Sequence, residues 1–275
     1  MVAPKTTLEE DSMAAQDASE IDRIQTNLIT YFRLFAGLPG IVFVEDDATW
    51  FVNTNAGEPN SHILRARWET LTVEQEIDRL LAHVGALTSS IDWLVFPGCL
   101  PSDLGKRLKQ RGLEEGLAGT WMIADLAALP EAKPPPSGFS VRQVRDDGML
   151  EVWKQVSSAG FGEDEQIYYD AYARHGYGPD AQSLHYIGYA GEQPVTSGTL
   201  LLGDGIPGLY NISTPPAARG RGYGQALTAH MLQQAIVRGS ATVWTWASDD
   251  GKSTYEKLGF VQHDFGVREY AWRAS

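Results

Sequence analysis

The sequence predicts an α/β (α+β) chain with a mixed central sheet flanked by helices. Three observations carry that prediction. Residues 209–225, LYNISTPPAARGRGYGQ, read as a strand, a Pro-Pro break, and a loop with glycines at 220, 222 and 224 that opens a helix. Residues 139–272 carry strand and helix patterns in the order β-α-α-β-β-β-α-β-α-β. Residues 91–125 repeat the strand–helix–glycine–strand plan with which the chain ends.

The elements follow in order. Residues 1–20 are polar and acidic without an apolar h-region, so they are not a signal peptide and read as a mobile tail. Residues 21–35 form an amphipathic helix, 41–53 a hairpin and 73–83 a second helix. Then come a strand (IDWLVFPG, 91–98), a helix over 103–111, Gly112-Leu113, and a strand near 120–124. The segment EAKPPPSG at 131–138 is a stiff, extended linker, because three consecutive prolines continue neither a helix nor a ladder. It divides the chain into domains at 21–130 and 139–275.

In the second part, residues 139–145 alternate as a strand, and 148–159 and 164–173 are helical on either side of Gly160-Phe161-Gly162. Strands over 184–190 and 195–202 meet across Gly191-Glu192-Gln193, a hairpin signal. After the 209 strand, Ala226, Leu227, Met231, Leu232, Ala235 and Ile236 recur at helical spacing, giving a helix over 222–237. A strand at 241–247 (ATVWTWA), a short helix over 253–258 and a last strand near 267–272 complete the chain.

Composition bounds the function. The chain has 275 residues, enough for one large or two ordinary domains, and 43% hydrophobic content supplies real cores. One cysteine, Cys99, excludes an internal disulfide framework, and no apolar run approaches a membrane span. Together these predict a cytoplasmic protein without a membrane partner. The net charge of −13 argues against nucleic acid and makes Arg219 and Arg221 a local basic spot on an acidic chain. The six histidines show no paired ligand spacing, so no metal is expected. Cys99 has no motif partner and reads as structural.

The glycine loop is the richest stretch chemically. A helix start leaves four backbone N–H groups without intrahelical partners and carries partial positive charge. Glycines let that backbone approach an anion and adopt positive φ. Together they suit a pyrophosphate. A Walker A loop is absent, and a Rossmann fingerprint fails because Gly220-x-Gly222 is followed by Gln225, late in its domain.

The loop matches R/Q-x-x-G-x-G/A as Arg219-Gly220-Arg221-Gly222-Tyr223-Gly224, after a strand and opening a helix. Downstream, Tyr255-Glu256-Lys257-Leu258-Gly259-Phe260 follows a strand at the right distance. In both features the chain resembles the GNAT superfamily of acetyltransferases, across nearly all of residues 138–275. The resemblance implies the acyl-CoA N-acyltransferase fold and acetyl-CoA (or coenzyme A) as cosubstrate. It implies that Ile212, Ser213 and Thr214, on a central strand splayed from its neighbour, lend backbone N–H groups to the acetyl carbonyl and pantetheine arm. Such amides also suit the oxyanion that forms on amine attack. The backbone of Arg219, Gly220, Arg221, Gly222, Tyr223 and Gly224 would cradle the pyrophosphate, and Ser248 would lie near the pantetheine.

Tyr255 matches the family's general acid; a phenol near pKa 10 can protonate a thiolate of comparable basicity. Each role has a plainer rival. Tyr255 is otherwise a packed aromatic, Ser248 an N-cap, Arg221 a solvated charge and Tyr223 a packing residue of the first turn. Histone-type members place a Glu early in the central strand where this chain has Gly208. Glu163, Asp164 and Glu165 remain as acids bordering an acceptor, or as helix caps, and a water chain is the alternative to any base.

Aligning Gly112 with Gly259 sets Leu108 opposite Tyr255, and nothing in residues 1–130 matches the loop. The first part therefore resembles a divergent GNAT-like domain without a cofactor loop, the alternative being an unrelated α/β domain. The expected function is N-acetylation of a primary amine, on a small molecule or peptide, by direct attack. The alternative is a non-catalytic acyl-CoA-binding sensor or scaffold. The acceptor's identity, the acyl chain length and the oligomeric state stay open.

Overall fold

Two mixed β-sheets organise the chain, each completed by a strand from the far side of the sequence. The computed structural model describes residues 6–68, 71–178 and 181–274. In chain order the elements are α1 (Thr6–Arg33), β1 (Ile41–Glu45), β2 (Ala48–Asn53), β3 (His62–Ala66), α2 (Val73–Gly85), β4 (Ser90–Val95), α3 (Leu104–Gln110), β5 (Glu114–Leu117) and β6 (Thr120–Asp125). There follow β7 (Phe139–Gln143), α4 (Asp147–Phe161), α5 (Gln166–His175), β8 (Ser183–Ala190), β9 (Gln193–Leu201), β10 (Gly208–Ser213), α6 (Tyr223–Val237) and β11 (Thr242–Ala247). The chain ends with α7 (Asp249–Glu256), β12 (Val261–Gln262) and β13 (Arg268–Arg273). The expected tail is helical from Thr6; residues 1–5 of it lie outside the described residues.

The described residues divide into two compact units. The first takes residues up to Ile29, Gly40–Ala118 and those from Asp264; the second takes Thr30–Pro39 and Gly119–His263. The first sheet runs β1-β2-β3-β4-β13-β5 and the second β12-β6-β11-β10-β9-β8-β7. The expected strand at 267–272 therefore exists as β13, but in the first unit's sheet, antiparallel to β4 and β5. Its place in the second sheet is filled by β6, which pairs with all six residues of β11.

The prolines are not where the units divide. Residues 126–138 lie on the second unit. Leu129 packs on that unit's core, and a Cβ at Gly259 would come within 2.7 Å of Pro130. An extended Pro-rich segment has no ladder of its own, but its apolar rings pack as well as any side chain. Stiffness read from composition therefore does not by itself mark a linker.

The second unit's core lies under α6, whose Leu227, Met231, Leu232 and Ala235 meet Leu200, Leu209 and Val243 of the sheet. The sheet's other face is covered by α4 and α5. Asp146 caps α4 by accepting the Met149 N–H at 2.8 Å, Gly162 ends it at φ 83°, and Trp153 donates its indole N–H to Gly198 O. In the first unit, Val73, Ile77, Leu80 and Val84 of α2 and Leu104 and Leu108 of α3 close over Trp50, Ile63 and Trp93.

Two buried histidines tie stability to pH. Burial pushes His185 down to about 3, and burial likewise lowers His62. Both stay neutral in the fold, while in the unfolded chain a histidine takes up a proton below about pH 6.5. Stability is thus full above that value and falls as pH drops toward the folded pKa. The loss is up to about 1.4 kcal/mol per pH unit for each group. Urea unfolding from pH 7 to 4 is expected to show this slope, and His185→Gln to flatten it; an unchanged slope would remove His185 as a source.

Candidate active site

The site is built where β10 leaves its neighbour. β10 and β11 are parallel and paired only at Gly208↔Trp244 and Leu209↔Thr245. Beyond Leu209 the register with β9 also shifts, and Asn211 takes φ 50°, the left-handed region that a non-glycine residue seldom enters. Two phenols hold the bulge. Tyr172 and Tyr31 donate to Asn211 Oδ1 at 2.8 and 3.3 Å, and Tyr31 stacks on Tyr210 at 4.1 Å. The sequence reading missed Asn211; an Asn inside a strand pattern is its one signal, since Asn tolerates the left-handed region.

The expected amide-bearing residues follow the bulge. Ser213 is buried; its hydroxyl donates to Ser157 O at 3.2 Å, and its carbonyl accepts from Thr196 Oγ1 at 2.7 Å. Thr214 donates to Thr196 Oγ1 at 3.0 Å. Ile212 and Ser213 thus lie on a length of strand braced by β9 and α4 and not laddered to β11.

The glycine loop comes next, and its two halves differ. Arg219 donates to Thr214 O at 3.0 Å and to Gly160 O at 2.8 Å. Its guanidinium therefore joins strand end, loop and α4, rather than standing free as the basic spot expected of it. Arg221 is exposed and, among the described residues, makes no ion pair. Gly220 and Gly222 sit at φ 74° and 81°, which demands glycine on conformational grounds. Gly222 is the N-cap of α6, and no side chain caps that helix. A Cβ at Gly224 would stand 3.1 Å from Thr214 Oγ1, so helix start and strand end meet closely. Tyr223 stacks on Phe139 at 5.5 Å, the packing role. An uncapped helix start, two left-handed glycines and an uncommitted guanidinium fit a pyrophosphate.

Tyr255 approaches from α7. Ser248 caps that helix, accepting the Gly251 N–H at 3.2 Å, which realises the N-cap reading. The Tyr255 ring is buried, edge-on to Phe260 at 5.4 Å. Its hydroxyl lies near Thr245, whose Oγ1 donates to Leu209 O at 3.2 Å. Burial pushes the phenol up to about 12. The packed-aromatic reading is realised, and Thr245, near the hydroxyl, belongs to the last paired rung before the splay.

The candidate acids separate. Glu163 and Asp164 are exposed, and Asp164 accepts the Gln166 N–H at 3.1 Å, as a cap does. Glu165 is buried and accepts from Ser157 Oγ at 2.9 Å, the same Ser157 whose carbonyl accepts from the Ser213 hydroxyl. Gly208 is buried on β10 and offers no side chain. No group of His, Cys, Asp and Glu among the described residues could hold a metal, and none of their helices is long and apolar enough to cross a membrane.

A family model described as "Acetyltransferase (GNAT) domain" matches residues 181–262, from β8 to β12. This segment is a GNAT domain. No curated protein matches the chain significantly. Among solved structures, a GCN5-related N-acetyltransferase from Kribbella flavida is similar at 15% identity and TM-score 0.65, over 90% of this chain and 95% of that one. A tandem GNAT protein from the clavulanic acid biosynthesis pathway is similar at 14% and 0.57, over 86% and 83%. A GCN5-related N-acetyltransferase from Sphaerobacter thermophilus is similar at 13% and 0.55, over 74% and 68%. At such identities the likeness is one of fold. It extends over both sheets and not the GNAT segment alone, and the fold is one that supports acyl transfer from acetyl-CoA.

Proposed function

We propose that the second unit is an acetyl-CoA-dependent N-acetyltransferase acting on a primary amine of a small molecule or peptide. One observation carries the reading: β10 splays from β11 and leads into an uncapped, left-handed glycine loop. Acetyl-CoA supplies an activated acetyl thioester. Backbone N–H groups from Ile212 to Thr214 would bind the acetyl carbonyl and pantetheine arm and stabilise the oxyanion. The N–H groups of residues 219–224, with Arg221, would hold the pyrophosphate. Ser248 Oγ has a proton left to donate toward the pantetheine. As the amine nitrogen bonds to the acetyl carbon and the C–S bond breaks, Tyr255 gives its proton to the sulfur. The amine's own proton leaves to water, or to Glu165 where a base is used.

The first unit is read as a divergent GNAT-like domain without the cofactor loop. Its β4–α3–β5 run mirrors β11–α7–β12, with buried Leu108 where Tyr255 stands. A single cysteine fits a cytoplasmic setting. The rival reading, a non-catalytic acyl-CoA-binding module, is favoured by Gly208 alone.

Thiol release from acetyl-CoA over an amine panel separates the two. Amine-dependent release at least tenfold above hydrolysis is expected, and background hydrolysis with tight CoA binding would establish the sensor instead. Gly222→Val, which strains φ and places a side chain at the helix start, is expected to lose CoA binding at least tenfold by calorimetry.

A further inference from the structure

One residue of β10 departs from ordinary backbone geometry at the point where the site opens. Asn211, at φ 50°, is the one non-glycine residue with positive φ among the described residues. Such an outlier persists only where the surrounding structure over-determines it, and outliers gather at functional positions. Asn211 also lies inside a bulge. From Tyr210↔Thr199 to Ser213↔Ser197, β10 advances three residues while β9 advances two. The extra residue shows in the side chains. Leu209 and Ile212 both pack on the core under α6, where strict alternation would send residues three apart to opposite faces. Backbone N–H groups alternate between strand edges as side chains alternate between faces. The bulge therefore sets which N–H groups of residues 212–214 look into the gap beside β11.

The turn is pinned from two sides. Asn211 Oδ1 accepts from Tyr172 of α5 at 2.8 Å and from Tyr31 at 3.3 Å. Burial raises both phenols well above the ordinary phenol range, so each keeps the proton that it donates. Tyr31 comes from the far end of the sequence, on the 30–39 segment that belongs to the second unit. That segment is anchored without Asn211. Tyr31 stacks on Tyr210 at 4.1 Å, and Phe35 stands edge-on to Tyr168 at 5.4 Å. His175 Nε2 lies 3.1 Å from Leu34 O, and Arg174 donates to Ala36 O at 3.2 Å. A glycine would reach the same φ but leave it free to relax; a carboxamide tied to two separately anchored phenols holds it.

We propose that Asn211 is a positioning residue for acyl transfer: Tyr172 and Tyr31 pin its carboxamide, and the pinned turn aims the N–H groups of residues 212–214 at the acetyl carbonyl. Asn211 touches no reacting atom and acts through the backbone that follows it. The 30–39 segment is then a part of the acetyltransferase site, although it lies far outside the matched GNAT segment. The inference rests on the acetyltransferase reading, and a measurement without turnover separates the two.

Amides aimed at the acetyl carbonyl polarise it, so the thioester C=O stretch of acetyl-CoA is expected to move to lower frequency on binding to the full chain. Asn211→Ala is expected to lose about half of that shift or more and to lower kcat about tenfold or more. The Kd for CoA is expected to stay within about twofold, since the 219–224 loop is untouched. Asn211→Gly, which keeps the left-handed turn, is expected to be more active than Asn211→Ala. That order is the reverse of an ordinary strand position, where glycine is the weaker residue. Tyr31→Phe, which keeps the stack on Tyr210, and Tyr172→Phe are each expected to lower kcat with the same unchanged Kd. Alanine at or above glycine in activity, a stretch unmoved by Asn211→Ala, or wild-type kcat in both phenylalanine variants would each overturn the proposal. An Asn211-dependent stretch without amine-dependent thiol release would instead overturn the transferase reading and leave the aimed amides standing. An unshifted stretch in the wild-type chain would overturn both.

Discussion

A fragment of residues 139–275 is expected not to fold cooperatively, although it holds every motif that points to acetyl-CoA. Such a fragment lacks β6, and with it the strand that covers β11. β6 buries Trp121, Met122, Ile123 and Ala124. Trp121 alone stacks on Trp244 at 5.4 Å and on Trp246 at 5.1 Å. Full burial of one large apolar side chain is worth about 1.5–3 kcal/mol, so three of them match a large share of the 5–15 kcal/mol that holds a typical domain. Six residues of β11 would also become an unpaired edge. Circular dichroism and thermal melts of 139–275 against the full chain test this, and a melt as sharp and as hot as the intact protein's would refute it. In the full chain, Trp121→Ala is expected to cost about 3–5 kcal/mol in urea unfolding. A loss below 1 kcal/mol would mean that β6 is not a core strand.

That strand marks the limit of what the sequence makes legible. Local pattern finds the elements. The 148–159 and 164–173 helices are α4 and α5, and the 241–247 strand and the Tyr255 helix are β11 and α7. Pattern also shows that 91–125 and 241–272 share a plan. It does not say which sheet a strand joins, because β6 and β13 fill like places in their sheets and either reads as an ordinary buried strand. Pairing is decided by side chains across the ladder, here Trp121 against Trp244 and Trp246, and no window of sequence contains both partners. β3, β5 and β12 went unread for a related reason: strands of two to five residues carry too few alternations to show a period.

The site divides in the same way. Gly220 and Gly222 are legible because left-handed φ restricts the residue type. The work of Arg219 is not, since a guanidinium beside an anion loop and one bonded to two carbonyls look alike in sequence. Asn211 and its two phenols lie at positions 31, 172 and 211, joined only by folding.

Tyr255→Phe is expected to lower kcat about 10²-fold or more while leaving the Kd for CoA within twofold, because a positioned general acid contributes about 10²–10⁴. The substitution removes one oxygen and keeps the ring against Phe260, so the core that Tyr255 shares is preserved. What it deletes is the hydroxyl that lies near Thr245, whose own proton is committed to Leu209 O. A phenol raised to about 12 by burial stays protonated through neutral and mildly alkaline pH. The wild-type rate should therefore show no alkaline decline from Tyr255 up to pH 10; a descending limb near pH 9 would point to another acid. The same burial that makes Tyr255 look structural also holds it in the protonated form that the proposed role of general acid requires. A rapid, amine-dependent thiol release that survives Tyr255→Phe unchanged would take Tyr255 out of the mechanism and leave solvent as the acid.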